Sequence, residues 1–293
     1  MIQFSGVWVP LVTPLRHGAL DLPALSGLVE HLSAHGVHGF VACGSTGEAA
    51  LLDDDEQQAV LRTIVEAAGD RPVLMGLSGP RPAQVAERAK RLAEHHRIAG
   101  YLVTAPAYLK PAQAGILDFF TAVADASPLP IVAYDIPART GVRIEPSTLL
   151  ALAAHPRIRA VKDCSADVGA ATALLDDGRL ALLAGNDDEL FAQLALGASG
   201  SITASAHLRP DLFVRLHRLF AEQRLAEART LWYRLRPLIT ALFAEPNPAP
   251  LKAMLASEGR LADELRAPMT AASAGCVERA RQALAALDAQ FPR

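Results

Sequence analysis

The sequence predicts an α/β protein, a (β/α)8 TIM barrel followed by a C-terminal helical extension. Three observations carry this expectation. Eight short apolar runs recur over roughly 220 residues. Each run is continuous rather than alternating, as suits parallel strands covered on both faces. Amphipathic helical patterns fill the gaps, and eight strand–helix repeats close a barrel. A doubly wound sheet usually has fewer strands and a glycine-rich phosphate turn after the first. Here the first turn reads Thr13-Pro14-Leu15-Arg16-His17-Gly18, which is no such turn.

The strand signals are Val7 to Val12, Gly39 to Cys43, Pro72 to Gly76, Tyr101 to Thr104, Pro130 to Tyr134, Ile158 to Lys162, Leu180 to Ala184 and Gly200 to Thr203. The first helical pattern, Leu22 to His35, sets Leu25, Leu28, Val29 and Leu32 on one face. The next, Asp54 to Ala68, opens with acids, which suits a helix N-terminus. Pro82 to His95, Ala114 to Ala126, Ser147 to Ala154, Ala166 to Leu175, Asp188 to Leu196 and Pro210 to Ala221 follow. Pro210 fits a first helical turn. From about Ala226 the strand signal stops. Leu231 to Phe243 and Val277 to Leu287 read as helices, with a proline-dense loop from Glu245 to Pro250 between them. The expected division is residues 1–225 as barrel and 226–293 as helical extension.

Bulk properties exclude several functions. The 293 residues are 51% hydrophobic and 20% charged, with a net charge of −3. That is a globular composition with no basic field for nucleic acid or an anionic membrane. Cys43, Cys164 and Cys276 fit neither a disulfide framework nor zinc spacing, so a reducing cytosol is the expected location. Pro10 and Pro14 break the apolar N-terminal stretch, which reads as neither signal peptide nor membrane span.

Chemistry collects at the predicted C-terminal strand ends, where a barrel carries its active site. The chain has only four lysines, Lys90, Lys110, Lys162 and Lys252, against a large excess of arginine. Lys162 lies in an apolar strand, where burial favours the neutral amine. A neutral amine attacks carbonyls and forms Schiff bases. The alternative is a strand-end lysine whose head reaches water. After the second strand, Gly44-Ser45-Thr46-Gly47-Glu48 offers backbone N–H groups and hydroxyls suited to a carboxylate. Tyr108, Tyr134 and Arg139 follow later strands on the same predicted face.

Gly44 to Glu48, Tyr134 with Pro137, and Val161-Lys162-Asp163 together resemble the class I pyruvate-dependent lyase family. That family holds dihydrodipicolinate synthase and N-acetylneuraminate lyase, and the likeness runs from about residue 4 to about residue 256. Tyr134 to Gly141 and Asn247 to Lys252 look most like the synthase branch. Ser45, Asp135 and Asp163 depart from the residues usual there.

The resemblance implies a Schiff base between Lys162 and pyruvate, with Tyr134 as proton shuttle and Ser45 and Tyr108 extending the relay. Tyr108 would come from a neighbouring subunit, so a homo-oligomer is implied, a dimer or homotetramer. Thr46 with Ser45 would hold the keto-acid carboxylate, Ile202 would contact substrate through its backbone, and Arg139 would orient the aldehyde. No cofactor and no metal is implied.

The leading expectation is condensation of pyruvate with L-aspartate 4-semialdehyde, in lysine biosynthesis by way of diaminopimelate. One alternative is a class I aldolase or hydratase-aldolase using another aldehyde. Another is a catalytically silent barrel that binds a keto acid. Positions that take lysine in feedback-inhibited relatives hold Asp54, Gln57, Arg81, Val85 and Ala107, so no lysine feedback is expected.

Overall fold

The computed structural model describes residues 2–292. Eight parallel strands close into a barrel: β1 Gly6–Pro10, β2 Gly39–Ala42, β3 Val73–Leu77, β4 Gly100–Thr104, β5 Ile131–Asp135, β6 Ile158–Asp163, β7 Ala181–Ala184 and β8 Gly200–Ile202. Neighbours in space are neighbours in sequence, and β1 pairs with both β2 and β8 to close the ring. The predicted barrel is therefore present, each strand within two residues of its expected place.

Successive side chains of a strand point to opposite faces, which sorts the barrel's residues into two sets. Trp8, Val41, Leu74, Leu102, Val132, Tyr134, Ala160, Leu183 and Ile202 pack together inside the barrel. Val7, Val9, Phe40, Val73, Met75, Tyr101, Val103, Ile131 and Val161 face outward against the helices. Both faces are buried, so the strands read as unbroken apolar runs.

The outer layer comprises α1 Leu22–Ala34, α2 Asp54–Ala68, α3 Pro82–His95, α4 Gln113–Ala126, α5 Pro146–Leu152, α6 Val168–Asp177, α7 Leu190–Leu196 and α8 Pro210–Ala221. Asp53 caps α2 through a reciprocal capping box with Glu56, so the acids seen there mark its start. Beyond the barrel lie α9 Leu225–Leu242, α10 Ala249–Ser257 and α11 Ala274–Gln290. Their buried residues, Trp232, Leu235, Leu238, Leu284 and Leu287 among them, belong to the same apolar cluster as the outer barrel face. No described helix is long and apolar enough to cross a membrane.

Two elements differ from expectation. Helix α10 begins at Ala249, inside the stretch expected as a proline-dense loop, with Pro250 in its first turn, where a missing N–H costs nothing. Helix α9 starts six residues before the apolar pattern that announced it and keeps Pro237 inside.

Candidate active site

Each strand delivers its last inward residue to one mouth of the barrel. Ala160 points inside, so Lys162, two residues on, does too. Tyr134 and Lys162 are paired residues of adjacent strands β5 and β6. Their side chains are 4% and 5% exposed, and the Lys162 Nζ lies 4.1 Å from the centre of the Tyr134 ring. Ser45 lines the cavity beside them.

A cavity of about 830 Å3 opens over this pair, lined by Ser45, Thr46, Tyr134, Arg139, Lys162 and Ile202. Six of the seven residues expected to act together thus share one cavity. Tyr108 is the seventh. It sits on the loop after β4 with a positive φ of 71°, is 93% exposed, and lies outside this cavity.

The loop from Gly44 to Glu48 is folded on itself. The N–H groups of Gly47, Glu48 and Ala49 donate to the carbonyls of Gly44, Ser45 and Gly44. Among the described residues those of Ser45 and Thr46 have no such partner, and two neighbouring N–H donors at a cavity suit a carboxylate. Two glycines make the loop possible. A Cβ on Gly76 would stand 2.2 Å from the Cys43 carbonyl oxygen, and one on Gly47 would stand 2.9 Å from that of Leu11. Arg139 follows β5 in the helical turn Pro137–Thr140.

Electrostatics correct one expectation. Burial acts to strip the proton from Lys162, the negative charge of the Asp187 carboxylate acts to keep it, and the net direction is upward. The resting amine is therefore protonated and must release a proton before it can attack. Burial raises the Tyr134 phenol, against the pull of Lys162. Burial also pushes the Cys164 thiol up to about 12, so it is neutral.

The sequence reading missed Cys164 and Asp187. Cys164 lies two residues past Lys162, so strand alternation would have placed it at the mouth, where it lines the cavity with Tyr134. Asp187 is buried and accepts from the N–H groups of Ala204 (3.2 Å) and Ser205 (2.6 Å).

Asp135 and Asp163, two of the departures noted above, are a register pair on the outward side of β5 and β6. Asp135 accepts from the Ile144 N–H at 3.0 Å. Asp163 accepts from the Ser165 N–H at 2.8 Å and the Gln193 amide at 3.0 Å. Neither lines the cavity, so neither discriminates between substrates there.

Known proteins resemble this chain in sequence and fold. The model of the Dihydrodipicolinate synthetase family matches residues 3–287. A 4-hydroxy-tetrahydrodipicolinate synthase of Methanospirillum hungatei is 37% identical, over 98% of this chain and 100% of that protein. The structure of the 4-hydroxy-tetrahydrodipicolinate synthase of Methylacidiphilum fumariolicum superposes with a TM-score of 0.95 at 30% identity, over 99% of this chain and 97% of that one. The chloride-inhibited dihydrodipicolinate synthase of Acinetobacter baumannii, complexed with pyruvate, superposes with a TM-score of 0.93 at 31% identity, over 97% and 99% of the two chains.

Proposed function

We propose, because this chain belongs to the dihydrodipicolinate synthetase family, that it condenses pyruvate with L-aspartate 4-semialdehyde through an imine on Lys162. The product is 4-hydroxy-tetrahydrodipicolinate, on the route to diaminopimelate and lysine. The observation that carries the reading is Lys162 Nζ beside the Tyr134 ring under an open cavity.

The chemistry follows from that placement. Lys162 passes a proton to its surroundings and attacks the keto carbon, and the carbinolamine oxygen leaves as water. The imine draws electrons from the methyl C–H bonds. A proton departs, and the resulting enamine carbon bonds to the aldehyde carbon while the aldehyde oxygen takes a proton, which restores the imine. The α-amine of the semialdehyde then attacks the imine carbon and closes the ring, and the Lys162–carbon bond breaks, with the lysine nitrogen taking a proton from the incoming amine. Tyr134, whose ring lies against Lys162 and which shares the cavity with Ser45, moves these protons. The N–H groups of Ser45 and Thr46 hold the pyruvate carboxylate, and Ile202 contacts substrate through its backbone. Arg139 takes the carboxylate of the semialdehyde in a two-pronged contact. The imine is itself the electron sink, so this route uses no metal or organic cofactor.

Tyr108 acts, in this reading, from a neighbouring copy of the chain. Its ring projects from the surface and is available to complete another subunit's relay. The active form is thus a homo-oligomer, a dimer or tetramer. A cytoplasmic location is in keeping with three free thiols.

Ser45 in place of the synthase's usual threonine is the feature that favours the other reading, an aldolase acting on a different aldehyde. Borohydride reduction with pyruvate, followed by mass measurement, tests the common step. A pyruvate-sized adduct is expected in the unaltered chain and absent from Lys162→Ala. No adduct on the unaltered chain would sink both readings. A panel of aldehydes then separates them, aspartate semialdehyde being the expected best partner, and trapping without turnover of any aldehyde would mark a silent keto-acid binder.

A further inference from the structure

Lys252 is the second buried lysine of the chain, fully sealed from solvent beneath the substrate loop. It lies on α10 and donates to Glu48 Oε1 at 2.5 Å and to the Glu264 carbonyl at 2.7 Å. Glu48 is itself 6% exposed and ends the Gly44 to Glu48 loop. Its other oxygen accepts from the Arg266 N–H at 3.4 Å. Two residues before Glu48, Thr46 Oγ1 accepts from the Asn247 amide at 3.0 Å. The loop that offers N–H groups to the cavity is therefore gripped from one side by residues 247, 252 and 266.

This grip has features that stability alone does not explain. Glu48 adopts a left-handed backbone with φ of 54°, which a residue with a Cβ disfavours. A buried ion pair is often no more stable than apolar side chains of the same volume. Burial lowers the Lys252 ammonium's hold on its proton, and Glu48 opposes that. What the pair does provide is geometry. Two charges locked together hold the strained end of a four-residue turn in one place, and the N–H groups of Ser45 and Thr46 lie within that turn.

We propose that Glu48 and Lys252 are positioning residues, a buried latch by which the C-terminal segment aims the Ser45 and Thr46 N–H groups at the keto-acid carboxylate. The inference rests on the pyruvate reading above. The latch touches neither the reacting carbon nor Lys162, so it acts on keto-acid capture and spares the proton steps. It also couples the site to residues 262–266, a segment outside the barrel.

Borohydride trapping across a range of pyruvate concentrations tests this in the unaltered chain, Glu48→Gln, Lys252→Met and the double variant. In each single variant the half-saturating pyruvate concentration is expected to rise about tenfold or more, with trapping at saturation within about threefold. The double variant should be no worse than the worse single, since either change releases the same latch. Folded variants with unchanged half-saturation overturn the latch. Failure of the unaltered chain to trap at all would instead overturn the pyruvate reading.

Hydrogen exchange on the unaltered chain decides the matter should the variants not fold. Pyruvate is expected to slow exchange in residues 44–48 and in 262–266 together. Protection confined to 44–48 rejects the coupling.

Discussion

Lys162 starts from the wrong protonation state for its chemistry, and the cause is its neighbours. Burial alone would free the amine, but the Asp187 carboxylate pulls the other way. Asp187 is oriented by the N–H groups of Ala204 and Ser205. The kcat/KM for pyruvate reports the free enzyme's reactive form, which is deprotonated Lys162. It should therefore climb with pH above neutrality. Asp187→Asn removes a group that raises Lys162 and keeps an acceptor for a backbone N–H. The rising limb of the kcat/KM profile is expected to move to lower pH in that variant. A limb that stays in place, or moves up, would show that Asp187 does not set the lysine's proton affinity.

At the scale of elements, strands β5 and β6 carry two chemistries on opposite faces. Their inward pair, Tyr134 and Lys162, forms the site, and their outward pair, Asp135 and Asp163, is sealed under the helices. Burial pushes Asp135 up to about 7, its bond from Ile144 opposes this, and Asp163 adds to it. Such an acid holds its proton in the fold and loses it on unfolding. Its stabilising contribution is complete below 3.8 and is lost as pH rises to about 7, a loss of at most about 4 kcal/mol. Asp135→Asn keeps the acceptor for Ile144 without the charge. Its melting temperature should exceed that of the unaltered chain by about 3 °C or more at pH 8, and the gain should vanish near pH 4. Helix α2 supports a further expectation. Its Gln57 is buried, donating to the Ala49 and Leu52 carbonyls and accepting from Arg88, while Asp54 pairs with Arg88 at 3.3 Å. These groups are already engaged, so millimolar lysine should leave the initial rate unchanged in a coupled assay, and strong inhibition would refute this. Such pairings explain what could be read from sequence. The strands were legible because a twice-buried strand must be apolar throughout, and Lys162 because it interrupts one. Asp135 and Asp163 looked like changes to the site because a linear motif does not say which face a neighbour takes. Helix α10 was hidden because prolines that forbid a helix interior are tolerated in a first turn, and Lys252 in turn showed no purpose until its partner 204 residues away was in view.

The whole molecule depends on joining its first strand to its last, and three histidines lie along that seam. His38 Nδ1 accepts from the Val7 N–H at 3.2 Å on β1. His207 Nε2 accepts from the Val12 N–H at 3.3 Å, just past β1, while its Nδ1 meets the Ala204 carbonyl beyond β8 at 2.7 Å. His217 on α8 bonds to Ser201 of β8 at 2.9 Å. A ring that accepts from a backbone N–H needs a lone pair, which the imidazolium lacks. Burial lowers all three, His207 to about 4 and His217 to about 3. For a histidine held neutral in the fold, the stabilising contribution is complete above 6.5 and is lost as pH falls toward the folded value. Asp135 slopes the opposite way over part of this range, so total stability is a blunt probe, and a difference between variants is the better one. His217→Asn keeps a polar partner for Ser201 and cannot be protonated. On acidification from pH 6.5 to 4.5 it should lose less stability than the unaltered chain, by at most about 3 kcal/mol in urea melts. Exchange at pH 5 adds a spatial test. The amides of β1 and β8 should open before those of β4 and β5, since the seam is where protons enter. Uniform opening around the ring, or identical acid sensitivity in His217→Asn, would mean that the barrel's closure does not rest on neutral histidines.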